Sequence, residues 1–295
     1  MSLVKKWIIR YLEYLAATRY EIGFLLCGPE QVLDESASPE VRFLKHPYKS
    51  RWFADPFFLS ATPDRLVLLA EEYRYRTDKG RIVRLTVDRH TFRLLGNDPV
   101  LELDTHLSFP FILRENGRCY LYPENSQAGA WKRYAYDPET NTVGPGETLI
   151  PLPLTDAVIA PGGQVFSTRL PDPNGAALSI YENGREKNIV TFSEKIARSA
   201  GAFFRVGDKW YRPAQECNDC YGHAVVFQEV SRSGGNWTFR EIRRLYSPHP
   251  WFDAGCHTYN TLDGISVIDV AGYRKPRLRK LLFGLVDRIQ KWRKA

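Results

Sequence analysis

The most distinctive chemical groups of this sequence are aspartates that begin predicted β-strands. Asp55 is followed by Pro56, which holds the aspartate backbone extended, and Asp156 occupies the matching place two repeats later. A carboxylate fixed at the wall of a pocket can act as a general base when its surroundings tune its pKa. We therefore predict catalytic roles for both aspartates; for Asp55 the alternative is a structural turn cap.

Three glutamates, Glu71, Glu72 and Glu124, close predicted second strands. Cleavage of a glycosidic bond needs two carboxyl groups that flank the bond. Asp55 together with Glu124 or Glu72 meets this need. We predict Glu124 as a catalytic group and Glu72 as a substrate ligand, the alternative for each being an exposed strand end.

A second set of candidates lies between residues 197 and 223. Arg198 and Arg212 carry planar, permanently charged guanidinium groups that suit a phosphate or a carboxylate. Gln215 and Tyr221 add hydrogen-bonding groups nearby in the sequence. All four are predicted to bind substrate, the alternative for the arginines being salt bridges within the fold.

Most of these residues lie at or near the ends of strands in an internal sequence repeat. Each repeat contains two predicted strands that pair with each other. Anchored at residues 55, 109, 156, 201 and 255, the repeats are spaced by 54, 47, 45 and 54 residues. That length holds four short strands and their turns, which is one blade of a propeller. The sequence therefore predicts an all-β fold, a five-bladed β-propeller over residues 21–273; a β-sandwich is the alternative.

In such a propeller the first strand of each blade lines the central axis. The blade starts then bring together Asp55, Ser108, Asp156, Arg198 and His257. Convergent polar groups in a concave place predict a binding site for a small ligand. His257 could donate to a sugar hydroxyl or transfer a proton, although a histidine buried in the core is the alternative.

Both ends of the chain predict amphipathic helices, over residues 1–20 and 274–295. In the second, apolar residues recur at helical spacing from Leu278 to Trp292 among nine basic residues and one acid, for a net charge of +8. Because the whole chain carries +7, the rest sums to −1. Such helices could lie on an anionic membrane surface, bind a partner protein or pack on the domain.

Composition and charge further limit the function and location that we expect. A nearly neutral body argues against a nucleic-acid platform. The start of the chain lacks a secretory signal, and the five cysteines are odd in number and scattered, so we expect a cytoplasmic protein, peripheral at the inner face of the membrane. Cys217 and Cys220 form one unpartnered CxxC motif, which is weak evidence for zinc. We predict neither a metal nor a cofactor.

Several short phrases together resemble the N-terminal propeller domain of glucosamine inositolphosphorylceramide transferases and its stand-alone bacterial relatives, over roughly residues 50–270. These phrases are residues 53–57, 106–111, 122–125, 198–201, 211–217, 221–222 and 255–258. The Asp-Pro start and the fivefold repeat are more distantly similar to five-bladed glycoside hydrolases of the arabinanase and xylosidase type. That resemblance implies Asp55 as the base and Asp156 as the orienting aspartate, but no glutamate stands clearly in the acid's place.

We therefore expect a carbohydrate-active enzyme, first of all a glycosyltransferase of surface polysaccharide or glycolipid synthesis. It would take a nucleotide-sugar donor, whose diphosphate Arg198 and Arg212 would hold, and a lipid-linked acceptor. The alternatives are a glycoside hydrolase of the propeller type and a non-catalytic glycan-binding propeller.

Overall fold

The computed structural model describes residues 17–274, which form five four-stranded antiparallel sheets. A five-bladed β-propeller is thus confirmed. Its elements are β1 (Thr18–Leu25), α1 (Pro29–Leu33), β2 (Val41–Phe43), β3 (Arg51–Ala61), β4 (Arg65–Arg74), β5 (Lys79–Asp88), β6 (Leu94–Leu101), β7 (Ser108–Glu115), β8 (Arg118–Glu124), a 3₁₀ turn (Ser126–Ala128), β9 (Trp131–Asp137), β10 (Thr142–Ile150), β11 (Leu154–Ile159), β12 (Val165–Arg169), β13 (Ala177–Glu182), β14 (Arg185–Thr191), β15 (Phe204–Val206), β16 (Lys209–Glu216), β17 (Ala224–Ser233), β18 (Asn236–Tyr246), β19 (Tyr259–Leu262) and β20 (Ile265–Tyr273).

The first four blades each use four consecutive strands, β3–β6, β7–β10, β11–β14 and β15–β18. The fifth blade differs, because its order is β19-β20-β1-β2. Strand β1 pairs along its whole length with β20, from Thr18 opposite Tyr273 to Leu25 opposite Ser266. The beginning and the end of the described chain therefore close the ring together, which the sequence repeats alone did not predict.

The turns inside the blades follow from local chemistry. Asn116-Gly117, Asn183-Gly184 and Asp263-Gly264 all have positive φ at both residues, as two-residue hairpins of the favoured twist require. The predicted strand pairs are confirmed, but the first strands of blades four and five begin late, at Phe204 and Tyr259. Their approaches to the axis are irregular segments held by single bridges.

A β-bulge recurs where the first three blades approach the axis. Asp55, Phe109 and Asp156 adopt left-handed φ values of 50°, 43° and 45°, so the extended backbone predicted for Asp55 is wrong. In each case the ladder skips across the bulge, for example from Ala54–Glu71 to Phe57–Leu69. A bulge re-aims the side chain that it carries, and such strained positions gather at functional sites. The repeat thus places three equivalent bulges around the axis.

The core fills the spaces between neighbouring blades. Buried Phe57, Phe109 and Phe111 of blades one and two pack on one another with ring centroids 4.9 Å and 6.1 Å from Phe57. Packing of this kind holds the first strands around the axis and fixes where their bulges lie.

The predicted terminal helices fall largely outside the described residues. Of the predicted helix 1–20, residues 18–20 belong to strand β1, so the prediction is wrong at that end, because these residues pair with β20. Of the predicted helix 274–295, only Arg274 is described. Within the described range of 17–274, no helix has the length and apolarity needed to cross a membrane.

Candidate active site

A cavity of about 320 Å³ opens where the first strands of the blades begin, and we call it the axial cavity. Its walls combine carboxyl, hydroxyl, guanidinium and aromatic groups. They come from Tyr20, Trp52, Ala54, Asp55, Glu71, Tyr73, His106, Ser108, Glu124, Ser126, Gln127, Thr155, Leu170, Pro173, Arg198, Tyr221 and His257.

The predicted site residues divide into three groups. Six line the axial cavity, namely Asp55, Ser108, Glu124, Arg198, Tyr221 and His257. Two more stand directly behind its wall, Asp156 and Gln215, where they contact Arg198 or each other. The remaining two, Glu72 and Arg212, have structural partners elsewhere and are corrected below.

Asp55 is held by hydrogen bonds to two other blades, one to the Asp269 side chain and one to the Phe109 backbone. Its N–H donates to Oδ2 of Asp269 at 2.8 Å, and its own Oδ2 accepts the N–H of Phe109 at 3.0 Å. Burial raises the pKa of Asp55 to about 7, helped by the charges of Asp269 and Asp156 and opposed by the His257 cation. A carboxyl group with this pKa can exchange a proton near neutral pH.

His257 links Asp55 to a second, deeper aspartate. Its Nδ1 lies 2.6 Å from Oδ1 of Asp269, and its Nε2 lies 3.4 Å from Oδ1 of Asp55. Burial disfavours the imidazolium, but the charge and hydrogen bond of Asp269 raise the pKa of His257 to about 9. Burial alone would raise the pKa of Asp269. The charge of the His257 imidazolium and the hydrogen bonds that Asp269 accepts instead bring this pKa below its ordinary value. The pair is therefore ionised at neutral pH.

Glu71, rather than the predicted Glu72, faces the axial cavity. Neighbouring residues of a strand point to opposite faces of the sheet. Glu72 turns away and accepts hydrogen bonds from Arg51, Arg81 and Asn97, each at 2.7 Å, which lower its pKa against the effect of burial. The prediction of Glu72 as a substrate ligand is therefore wrong.

The Glu71 carboxyl is nearly buried, at 4% exposure, and packs against Gly80 and His106. A Cβ at Gly80 would overlap Oε1 of Glu71 and the carbonyl oxygen of Leu107, so only glycine leaves room there. Burial, with the charges of Asp55 and Glu124, raises the pKa of Glu71 well above the ordinary value. Burial and these neighbouring charges thus favour the protonated form of this carboxyl.

Glu124 occupies the equivalent position of the second blade. It lies opposite Ser108 in the ladder as Glu71 lies opposite Ala54. Its Oε2 accepts the Ser108 hydroxyl at 3.4 Å and its Oε1 accepts the N–H of Ser126 at 3.1 Å. Burial, with the charge of Asp156, raises the pKa of Glu124. A carboxyl group that keeps its proton can serve as a general acid.

Arg198 enters the axial cavity already paired. Its Nε donates to Oδ2 of Asp156 at 2.6 Å, and its Nη1 donates to Asn174 at 2.8 Å. Its guanidinium also lies 4.9 Å from the ring centre of Tyr221. Gln215 donates to the same Asp156 oxygen at 2.7 Å and to the carbonyl oxygen of Ser199. Gln215 and Asp156 therefore position Arg198.

Arg212 is fully buried and stands apart from the axial cavity. It donates to Gln228 at 2.8 Å and to the carbonyl oxygens of Ile196 and Ala197. Burial lowers its pKa to about 9. It lies deeper in strand β16, under the segment that leads to Arg198, and supports that segment. The prediction that Arg212 binds substrate is therefore wrong.

An arc of aromatic side chains covers one side of the axial cavity. Trp52 stacks on Tyr73 with a centroid distance of 4.6 Å and an interplanar angle of 6°. Tyr20 continues the arc, at 4.9 Å from both Trp52 and His257, and Tyr221 lies 5.3 Å beyond His257. Flat, partly polar rings of this kind offer an apolar surface with hydrogen-bonding edges.

Asp55, His257 and Asp269 also form a group of metal-ligating side chains, with ligand atoms within 4.8 Å of one another. The 2.6 Å contact between Nδ1 of His257 and Asp269 is a hydrogen-bond distance. Nε2 of His257 and the Asp55 carboxylate are then the two ligands left to hold a cation.

Several residues of the site were not predicted from the sequence. Tyr20 belongs to strand β1, whose approach to the axis only the closed ring shows, and Trp52 lies in strand β3 ahead of Asp55, where the repeat was anchored. Asp269 had a usable signal, because it is the one charged residue within the apolar run of residues 265–271. For Glu71 the signal was the alignment of the repeat, since it matches Glu124.

Comparison with known proteins confirms both predicted resemblances, and no protein-family model matches the chain. Over 203 residues the chain is 28% identical to glucosamine inositolphosphorylceramide transferase 1 of Oryza sativa subsp. indica, covering 63% of this chain and 27% of that protein. The protein of the same name from Arabidopsis thaliana is 26% identical over 199 residues, covering 61% and 26%. The chain thus spans about a quarter of the length of these curated relatives.

Among solved structures, the chain is similar to an exo-1,5-alpha-L-arabinanase from a bovine ruminal metagenomic library. The TM-score is 0.52 at 10% sequence identity, with 75% of this chain and 93% of that chain covered. At this identity the likeness concerns the fold.

Proposed function

We propose that the chain is a carbohydrate-active enzyme that breaks or transfers a glycosidic bond in the axial cavity. Asp55 acts as the general base and Glu124 as the general acid, while Asp156 positions Arg198 against the substrate. The observation that carries the proposal is the pair of buried carboxyl groups of raised pKa beside an aromatic wall. Two such carboxyls are what glycoside chemistry requires.

The geometry supports hydrolase-like chemistry better than the binding of a sugar diphosphate. A diphosphate needs uncompensated cations, but Arg198 is neutralised by Asp156 and Arg212 lies outside the axial cavity. The ionised Asp55 carboxylate would repel it as well. The structural likeness to an arabinanase agrees with this choice.

A nucleotide-sugar glycosyltransferase is the second candidate, favoured by the similarity to proteins named as transferases. Those proteins are about four times longer than the matched segment, so their activity need not reside in it. A lipid-linked acceptor, an anionic membrane surface and a location at the inner face of the membrane belong to this proposal. The basic charge of residues 274–295 supports them.

A substrate screen with matched variants tests these proposals. The wild type and Asp55→Asn are incubated with aryl glycosides and with nucleotide sugars, and both turnover and binding are measured. We expect turnover of at least one aryl glycoside, reduced by about 10²-fold or more in Asp55→Asn. Turnover of a nucleotide sugar that depends on Arg198 would favour the transferase instead. Sugar binding without turnover, unchanged in Asp55→Asn, would show a glycan-binding propeller and contradict the proposal.

A further inference from the structure

Tyr20 reaches the axial cavity from a strand that does not line the axis. It belongs to β1, the third strand of the fifth blade, behind β19 and β20. Alternate residues of a strand share one face of the sheet, and Tyr20 shares its face with Ile22 and Phe24, which are both buried in the core. At the end of this apolar face, the long Tyr20 side chain forms part of the cavity wall.

Ring contacts hold Tyr20 in place, and its hydroxyl remains unpaired. The centroid of its ring lies 4.9 Å from those of Trp52 and His257. Among residues 17–274, which the structure describes, none forms a hydrogen bond with the Tyr20 hydroxyl, and the oxygen is not enclosed by the protein. A hydroxyl that is unpaired and accessible from a cavity is available to a ligand.

The same hydroxyl lies among the charged groups of the axial cavity. Burial raises the pKa of Tyr20 far above its ordinary value, the charges of Asp269 and Asp55 raise it further, and the Arg198 cation opposes this rise. Charges act strongly on a group only when they lie close to it. The hydroxyl therefore lies close to the proposed base and keeps its proton, so it is a hydrogen-bond donor.

Tyr73 belongs to the same aromatic arc but directs its hydroxyl elsewhere. Its O–H donates to Oδ1 of Asp78, which is exposed and does not line the axial cavity. The rings of Tyr73 and Tyr20 flank Trp52 on its two sides. Of these two tyrosines, only Tyr20 has a hydroxyl left for a ligand.

We propose that Tyr20 is a substrate-binding residue whose hydroxyl donates a hydrogen bond to one hydroxyl oxygen of the sugar ring in the axial cavity. This inference rests on the proposed function and assigns a residue that selects the substrate within it. Trp52 would contact the apolar face of the sugar, while the Tyr20 hydroxyl contacts its polar edge. A site that binds a substrate hydroxyl in this way discriminates against an analogue that lacks it, because the donor then has no partner.

A cycle of enzyme and substrate changes tests the contact. The wild type and Tyr20→Phe are assayed with the best glycoside of the substrate screen and with its monodeoxy forms, each of which lacks one ring hydroxyl. With the intact glycoside, Tyr20→Phe should lower kcat/KM by about five- to tenfold, as expected for one neutral hydrogen bond. With one of the deoxy forms, the two enzymes should have equal kcat/KM, because neither can make the contact.

Tyr73→Phe is the matched control, since it removes a hydroxyl of the same arc that is bound to Asp78. It should keep kcat/KM close to the wild-type value throughout the series, and the melting temperatures of both variants show whether the fold is kept. The wild type alone provides a further check. It should discriminate against the same deoxy form by at least the factor that Tyr20→Phe loses, and equal rates with all deoxy forms would overturn the inference.

The outcomes separate this inference from the proposed function. If Tyr20→Phe loses nothing with the intact glycoside, or loses the same factor with every deoxy form, the inference is overturned and the proposed function stands. If a sugar binds but no glycoside is turned over, the proposed function fails, and the same cycle measured on dissociation constants decides the inference by itself. If no sugar binds, both fail.

Discussion

The first strands of blades one and three share a backbone conformation at their bulges, but the aspartates there lie in two different electrostatic environments. Asp55 and Asp156 sit in equivalent bulges with φ values of 50° and 45°. Asp156 gives one oxygen to Arg198 and Gln215, at 2.6 Å and 2.7 Å, so its charge is compensated. Asp55 faces His257 at 3.4 Å and has a raised pKa of about 7. The repeat fixes position, and the neighbouring blades decide the chemistry.

The bulge of the second blade contributes to the site through its backbone instead of its side chain. Phe109 has no carboxyl group, but its N–H donates to Oδ2 of Asp55 at 3.0 Å. One repeat position thus supplies a carboxyl of raised pKa, another a charge-compensated carboxyl, and a third the hydrogen bond that orients the first. A residue that departs from the repeated pattern can therefore still belong to the site.

The largest effect should come from removing the carboxylate that we propose as the general base. Asp55→Asn keeps the shape but loses the base, so we expect kcat to fall by about 10²- to 10⁴-fold. The measurement is steady-state turnover of the best glycoside from the screen, with binding followed in parallel. Retained turnover would mean that the first and third blades do not differ in the way that their charges indicate.

The matching change in the third blade should act through Arg198. Asp156→Asn leaves a nearly buried guanidinium without its carboxylate and should destabilise the fold by about 3 kcal/mol, with a smaller loss of kcat than Asp55→Asn. Denaturant unfolding measures the first and turnover the second. The double variant Asp156→Asn/Arg198→Gln should be more stable than the sum of the single changes predicts, and simple additivity would contradict the pairing.

Within the first blade, adjacent glutamates should respond with opposite signs. Glu72→Gln weakens the hydrogen bonds of Arg51 and Arg81 and should cost about 2 kcal/mol at neutral pH. Glu71 has a raised folded pKa, so its stabilising contribution is greatest below its unfolded pKa and falls as pH rises toward the folded value. Glu71→Gln should therefore raise the melting temperature, and more at pH ~8 than at pH ~5. A loss of stability in both variants would refute this distinction.

The sequence predicted the five-bladed ring and most residues of the axial cavity because both depend on a repeated local pattern. Asp55, Ser108 and His257 were placed by counting blades, and the structure brings them to one cavity. Arg212 and Glu72 were misplaced because two features decide which side chains reach the axis. These are the face of the sheet to which a side chain points and its distance along the strand from the axial cavity. Counting blades gives neither.

Tyr20 escaped prediction for a different reason. Strand β1 reaches the axial cavity only because it pairs with β20 at the far end of the chain. Such a long-range pairing leaves no local pattern in the sequence. The contribution of the closing blade to the site was therefore beyond reach of the repeat analysis.

The smallest effect should be a shift in pH dependence that comes from the closing blade. Ionisation of Asp55 requires the acid limb of kcat/KM to lie near pH 7, with activity lost as pH falls below it. The His257 cation favours the ionised carboxylate, so His257→Gln should raise the pKa of Asp55 and move this limb upward by about one unit. A pH profile from about pH 5 to 9 measures the limb, with Tyr221→Phe as a control that keeps the imidazole. An unmoved limb would mean that the base titrates independently of the fifth blade, and that the contrast between Asp55 and Asp156 arises from burial alone.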